Sequence, residues 1–152
     1  MNNAKPLIAS HYPSIAEHLL RPLLKLLTVF RELCGGDSTK FLVILFLTLR
    51  TTMHRDFAAH SQEDLLGGAA PILPALRTTV RSTAEAIGVP KETVRRKIAE
   101  LVEAGWLVRR SGKLYFTALA YAELTPVREQ IEAMAARYHE VVDALLQDQA
   151  TA

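Results

Sequence analysis

The segment Lys91-Glu92-Thr93-Val94-Arg95-Arg96 places several side chains that form directed hydrogen bonds within six residues. An arginine can donate two parallel hydrogen bonds to guanine O6 and N7, and a glutamate can accept one from cytosine N4. On a helix, Glu92 and Arg96 are one turn apart and share a face. The pattern predicts that Glu92 and Arg96 contact the edges of adjacent base pairs.

Two of these residues also have simpler interpretations. Arg96 could form an i, i+4 ion pair with Glu100 on a solvated helix face. Glu92 stands in the first turn of the predicted helix, where the helix dipole alone favours a carboxylate. The sequence leaves both alternatives open.

The elements that must position this segment follow one another between residues 76 and 117. Residues 78–80 favour a short β segment, and a capping box at residues 82–85 predicts the start of a short helix. Gly88 suits a tight turn, and a second helix is predicted from Lys91 to Ala104. Its core-facing stripe consists of Val94, Ile98, Leu101 and Val102.

A β-hairpin is predicted directly after this helix. Gly105 ends the helix, residues 106–110 and 113–116 have strand character, and Ser111-Gly112 suits the turn between them. Helix, sharp turn, helix and hairpin together predict a winged helix-turn-helix over residues 76–117. We therefore expect a mainly α chain with a small β-hairpin, in which this central domain is flanked by N-terminal and C-terminal helices.

Basic residues near the hairpin tip are candidates for phosphate contact. Arg109, Arg110 and Lys113 would lie along the DNA backbone or the minor groove, where contacts add affinity more than specificity. Thr93 is placed for phosphate or for helix capping, and Arg81, with Arg77, is a further phosphate candidate.

The charge distribution agrees with an anionic partner for this central segment. The net charge of the chain is only +2, but residues 77–113 contain nine basic and four acidic residues. From Leu114 onward there are two basic and six acidic residues. A local positive field of this kind attracts phosphate.

The run from Thr83 to Ile98, closed by Leu101 and residues 105–108, resembles bacterial winged-helix regulators over about forty residues. Residues 91–96 are similar to the Arg-Glu-Thr-Val-x-Arg recognition helix of the cyclic-AMP receptor protein family. The resemblance implies base contacts from the first basic residue, the Glu and the last Arg of the motif, which are Lys91, Glu92 and Arg96. Arg95 would be an additional contact. Pro90 departs from the Ser or Thr cap common in that family.

No long β-rich segment precedes the motif, so the cyclic-nucleotide ligand of that family is not implied. Helices on both sides of a central winged helix resemble, by layout, the multiple-antibiotic-resistance regulator (MarR) family.

The N-terminal region, residues 1–70, is predicted to be helical and to serve dimerisation or effector binding. A capping box at residues 14–17 starts one helix, which Pro22 should kink or divide. A second helix is expected from a cap at Ser38 to about Arg55. Because its first half is apolar on every face, this helix must be buried, and a second subunit could supply the cover.

The C-terminal region, residues 118–152, is predicted to form a helix after Thr125-Pro126 with a heptad-like apolar seam. The seam could pack against the N-terminal helices of the same chain or against a second copy, and dimerisation is the favoured interpretation. The seam residues are Val127, Ile131, Met134, Tyr138, Val141 and Leu145.

Other chemistry finds little support in the sequence. The five His residues show no pair at metal-ligand spacing, and there is no phosphate loop, no nucleophile elbow and no pair of carboxylates with a plausible cleft, so we expect no metal, no cofactor and no enzymatic activity. A single Cys34 allows no intrachain disulfide, and no signal peptide is evident, which favours the cytoplasm. The longest apolar run, residues 41–47, is too short to span a membrane.

Together these patterns predict a homodimeric, sequence-specific transcriptional regulator that binds double-stranded DNA at a palindromic operator through helix 91–104. The alternative is a winged-helix module for protein association. The operator, the sign of regulation and the identity of any small-molecule effector do not follow from the sequence.

Overall fold

A computed structural model gives the fold and describes residues 3–152. These residues are mainly helical, with one antiparallel two-stranded hairpin, which confirms the coarse fold class. The helices are α1 (Ala4–Leu33), α2 (Ser38–Thr52), α3 (Arg55–Ala58), α4 (Gln62–Leu66), α5 (Val80–Ile87), α6 (Lys91–Glu103), α7 (Ala118–Glu123) and α8 (Thr125–Thr151), and the strands are β1 (Leu107–Arg110) and β2 (Lys113–Phe116).

The chain forms two compact units whose bounds differ from those of the three predicted segments. The helical-pair unit combines the residues up to Glu32 with Pro126–Ala152, and the central unit is Leu33–Thr125. Helices α2, α3 and α4 thus belong to the same unit as α5, α6 and the hairpin.

In the helical-pair unit, α1 and α8 lie side by side and antiparallel. The Tyr138 hydroxyl donates to the Leu19 carbonyl over 2.7 Å, and Arg137 Nη2 donates to His18 Nδ1 over 2.6 Å. A groove of about 360 Å³ continues from this point, lined by residues 11–18 of α1 and 137–148 of α8. Half of the predicted C-terminal seam therefore packs within its own chain.

The predicted start of α1 at residues 14–17 is wrong, and Pro22 does not divide the helix. Helix α1 begins ten residues earlier, at Ala4, and continues through Pro13 and Pro22. Ser14 caps nothing, because it lies inside the helix and its hydroxyl donates to the His11 carbonyl one turn back. Each proline removes one backbone donor and crowds the carbonyl four residues back, but α1 continues through both.

In the central unit, α2 packs on α5, α6 and β2. Its cap is Asp37 rather than Ser38, because the Asp37 carboxylate accepts from the Lys40 backbone N–H over 2.9 Å. The helix ends at Thr52 rather than near Arg55, where His54 caps the short helix α3.

The sequence predicts that α2 is buried on every side, but within this chain only one face of α2 is buried. Val43, Ile44 and Leu47 are at most 3% exposed and face the core of the central unit. The opposite face is open, with exposed fractions of 37–54% at Leu42, Leu45, Leu49 and Met53.

Helix α5 begins earlier than the predicted capping box at residues 82–85. Thr79 and Ser82 form the box instead: each side chain accepts from the backbone N–H of the other residue, over 3.1 and 2.9 Å. The helix ends at Gly88, whose left-handed backbone (φ 69°, ψ 32°) makes the sharp turn toward α6.

The hairpin forms where the sequence predicts it. Leu107 pairs with Phe116, Arg110 pairs with Lys113, and Ser111 and Gly112 both have positive φ, as a tight two-residue hairpin turn requires. A third segment runs beside β2: the Leu73 N–H donates to the Phe116 carbonyl, and the Leu114 N–H donates to the Thr78 carbonyl, each over 2.9 Å.

The predicted β segment at residues 78–80 is therefore misplaced. The β-bridge to the hairpin lies upstream, between Ile72 and Thr117, whereas Thr79 caps α5 and Val80 belongs to that helix. Residues 118–152 contain two helices rather than one, because Thr117 caps a short α7 before α8 begins. None of the helices described in residues 3–152 has the length and apolar character needed to cross a membrane.

Candidate nucleic-acid interface

Helix α6 has a buried face and an open polar face. Val94 and Ile98 are fully buried, Leu101 is 3% exposed and Val102 is half-buried, so the predicted stripe faces the core. The open face carries the four residues predicted to contact bases, all of them exposed: Lys91, Glu92, Arg95 and Arg96. Thr93 lies beside them and is half-buried.

The charges on this face differ in how they are paired. Arg95 Nη1 lies 3.4 Å from Glu92 Oε1, an i, i+3 pair at the surface. No ion pair within residues 3–152 involves Arg96, and Glu100 is engaged by Lys40 and Lys97 instead, at 3.2 and 3.6 Å. The alternative interpretation of Arg96, a pair with Glu100, is not what the structure contains.

One basic residue of the central segment stabilises the fold through an ion pair. Lys97 Nζ lies 2.5 Å from Asp37 Oδ2, and the two side chains are only 19% and 27% exposed. Lys97 therefore ties α6 to the start of α2 and points away from the open face.

The turn before α6 adds a basic concavity. Lys91 and Arg81 line an open hollow of about 630 Å³ between α5 and the start of α6, together with Glu85, Gly88 and Pro90. Arg81 Nε lies 3.1 Å from Glu85 Oε1. Pro90 is the N-cap of α6 and provides no side-chain hydrogen bond, so the first backbone N–H groups of the helix have no side-chain cap.

The hairpin tip concentrates positive charge. Arg110 and Lys113 are direct partners across the two strands, and Arg109 precedes them. Both arginines are exposed and Lys113 is half-buried, and no ion pair within the described residues involves any of the three. Because like charges placed directly opposite each other destabilise a strand pair, an anion at the tip would relieve the repulsion.

Arg50 is a positioning residue that the sequence analysis missed. Its Nε donates to Thr78 Oγ1 over 3.2 Å and its Nη2 donates to the Arg77 carbonyl over 2.9 Å. It thereby fixes the chain just before α5 from the end of α2. An arginine that follows an apolar run looks like an ordinary helix boundary, so nothing in the sequence marks this role.

The predicted dimerisation residues on α8 fall into different environments. Val141 and Leu145 line the groove with α1 of the same chain, where Tyr138 is hydrogen-bonded. Val127 is 3% exposed, Met134 is half-buried and Ile131 is 43% exposed.

The central unit contains a narrow cleft beside β2. The cleft, lined by Thr48, Phe57, Leu73, Phe116 and Tyr121 among others, holds about 30 Å³, enough for one or two water molecules and far below the volume of a typical small-molecule site. Within residues 3–152, no group of three or more His, Cys, Asp and Glu side chains could hold a metal ion.

Comparisons of the chain with protein-family models, with curated proteins and with solved structures found no match.

Proposed function

We propose that this protein is a sequence-specific DNA-binding regulator whose central unit is a winged helix-turn-helix. In this proposal α5 and α6 are the helix-turn-helix, α6 enters the major groove, and the β1–β2 hairpin is the wing. The cytoplasm is the proposed compartment, and the protein acts as a binding module without enzymatic activity.

The open face of α6 is the observation that carries the proposal. Helix α6 is held by a buried stripe on one side and presents Lys91, Glu92 and Arg96 to solvent on the other. Arg96, which has no ion-pair partner among the described residues, keeps its guanidinium available for a guanine. Each such bidentate contact contributes about 1 to 3 kcal/mol of discrimination between bases.

Arg95 and Glu92 form an ion pair with each other, but this ion pair is weak. Exposed ion pairs contribute about 0 to 1 kcal/mol, so DNA can replace this one with little cost. Glu92 would then accept from a cytosine amino group while Arg95 contacts an adjacent base or phosphate.

In the proposal, residues of the hairpin and of the basic concavity contact the DNA backbone. Arg109, Arg110 and Lys113 would bind phosphates at the wing, and Arg81 would bind one beside the turn before α6. Such contacts position the protein without reading sequence. The half-buried Lys97 is excluded from this set, because Asp37 engages it.

Two copies would place two α6 helices on successive major-groove faces about 34 Å apart. A palindromic operator follows from such an arrangement.

The test is selection from a pool of random duplexes, with affinities measured from about 50 to 200 mM salt. Wild type is compared with Arg96→Ala and Arg110→Ala. Arg55→Ala is the matched control, because its side chain is 94% exposed and it removes the same charge outside the proposed interface.

We expect wild type to enrich a palindrome and Arg96→Ala to relax one base position with a loss of about 1 to 3 kcal/mol. Arg110→Ala should weaken all sequences evenly and reduce the salt slope by about one, while Arg55→Ala changes neither. If no duplex is enriched and low-salt binding is negligible, the proposal fails and protein association becomes the better account of the domain.

A further inference from the structure

The most exposed apolar surface of α1 is a short leucine stripe. Leu20, Leu23, Leu24 and Leu27 are spaced i, i+3, i+4 and i+7, which places them on one face. Their exposed fractions are 51%, 37%, 69% and 43%. Exposed aliphatic side chains grouped on one face are typical of a surface that meets a partner.

The stripe points away from the partner helix in its own unit. At about 100° per residue, its centre lies roughly opposite the residues of α1 that face α8, namely His11, Ile15 and His18. An antiparallel pair of helices has therefore covered one face of α1 and left the other open.

We infer that a second copy of this chain covers the stripe, with the two α1 helices packed antiparallel across a two-fold axis. The geometry is self-complementary. An axis between Leu23 and Leu24 pairs Leu20 of one copy with Leu27 of the other, and Leu23 with Leu24, so that all four leucines meet a leucine. Two α1–α8 pairs joined in this way make a four-helix assembly.

Charge complementarity favours a second copy over an unrelated partner. In the same register, Glu17 lies within one residue of the partner's Arg31, an axial offset of about 1.5 Å, and both residues lie on the same side of the stripe. Within residues 3–152 Arg31 has no ion pair, and the ion pair of Glu17 is with the exposed Arg21. Such rim charges fix register and orientation more than affinity.

The interface deepens the proposed function by naming the surface through which two copies meet, and in that respect it rests on that function. The test of the interface uses no DNA, so the proposed interface and the proposed DNA-binding function can fail separately. The mass of the full chain in solution is measured up to about 100 µM, where a micromolar dimer is fully formed. The variants are Leu24→Glu and, as the matched control on the open face of α2, Leu45→Glu.

We expect wild type and Leu45→Glu to have twice the mass of one chain. Leu24→Glu should raise the dissociation constant of the dimer at least about tenfold with unchanged helical circular dichroism, because Leu24 is 69% exposed and supports no core. A monomeric wild type, or dissociation by Leu45→Glu but not by Leu24→Glu, would overturn the inference.

Cross-linking tests the orientation, with Cys34→Ser as the background. Mixing Leu20→Cys chains with Leu27→Cys chains should give a disulfide between unlike chains, because only the antiparallel register brings these positions together. Disulfides between Leu20→Cys chains alone would indicate a parallel pairing and contradict the proposed register. Arg31→Glu should weaken the dimer, and adding Glu17→Arg should restore it.

Discussion

Lys97 Nζ of α6 lies 2.5 Å from Asp37 Oδ2 at the start of α2, and Asp37 also caps α2 through the Lys40 N–H. Burial alone would raise the pKa of Asp37, but hydrogen bonds from Lys97 and from backbone N–H groups outweigh it and lower the pKa below its usual value. The hydrogen bond to Asp37 in turn raises the pKa of Lys97. One carboxylate thus organises a helix start and holds the proposed DNA-reading helix in place.

Asp37→Asn should lower the free energy of unfolding by about 1 kcal/mol, because it keeps a capping oxygen but removes the charge that Lys97 needs. Asp37→Ala should cost about 1 kcal/mol more, since the cap is lost as well. Urea denaturation at neutral pH measures both. Asp56→Asn, in an exposed pair with Arg55, is the control and should change stability by less than about 0.5 kcal/mol.

The stability difference between wild type and Asp37→Asn should depend on pH in a defined way. A folded-state pKa below the ordinary 3.8 means that the advantage of Asp37 is fully present above that value and is lost as the pH falls through the folded-state pKa. Because the folded-state pKa of Lys97 is raised, the contribution of Lys97 to the stability difference is fully present below its ordinary pKa of 10.5. This contribution is lost as the pH rises through the folded-state pKa of Lys97. A difference that grows on acidification would contradict the assigned pair.

Cys34 should be a slow nucleophile in the native protein. It is 5% exposed, and burial raises the pKa of its thiol to about 11 from 9.0. The thiolate fraction at pH 8 is therefore about 100-fold lower than in the unfolded chain, so alkylation should be slower by at least that factor. Iodoacetamide labelling of native and urea-unfolded protein measures the ratio, and similar rates would show that Cys34 is accessible.

The elements that the sequence predicts well are those with local determinants. The period of Val94, Ile98 and Leu101 defines α6 and its buried face, and Gly88 and Gly112 mark turns whose backbone other residues rarely adopt. No distant partner is needed to predict these elements.

The features that the sequence did not predict, such as the start of α5, depend on long-range contacts. Ser82 fits a capping box either as its first residue, with Glu85, or as its last, with Thr79, and the sequence does not distinguish the two. The Thr78 carbonyl is fixed by the Leu114 N–H and the Thr78 hydroxyl by Arg50, so the chain is anchored at Thr78 and the helix begins directly after it.

A count of charges in the sequence likewise does not show which basic residues of the site are paired within the fold. Lys97 and Arg96 are adjacent basic residues, and the sequence gives no sign that one binds a carboxylate on a distant helix while the other stays open.

Gly88→Ala should destabilise the protein by about 1 to 2 kcal/mol, because an L residue with φ near 69° is strained. A clash is not the reason: apart from the adjacent residues, a Cβ at this position meets no atom of the described chain within 4 Å. Gly88→Asn should therefore cost less than Gly88→Ala, since Asn tolerates this backbone better. Thermal denaturation of the two variants gives the order, and equal losses would point to packing rather than backbone strain.

Glu92→Ala should separate affinity from specificity on the open face of α6. Removing the carboxylate takes a negative charge away from the phosphates and frees Arg95, now 3.4 Å from it, so binding to arbitrary duplexes at low salt should tighten. Discrimination at one base position should fall by about 1 to 3 kcal/mol if Glu92 accepts from a cytosine.

Competition between the enriched duplex and its single-base variants measures both effects of Glu92→Ala. Glu85→Ala is the control, because it frees Arg81 beside the interface without touching the proposed base-reading face. It should tighten binding without changing base preference. An unchanged preference in Glu92→Ala as well would assign Glu92 to the helix dipole and leave base discrimination to Lys91 and Arg96.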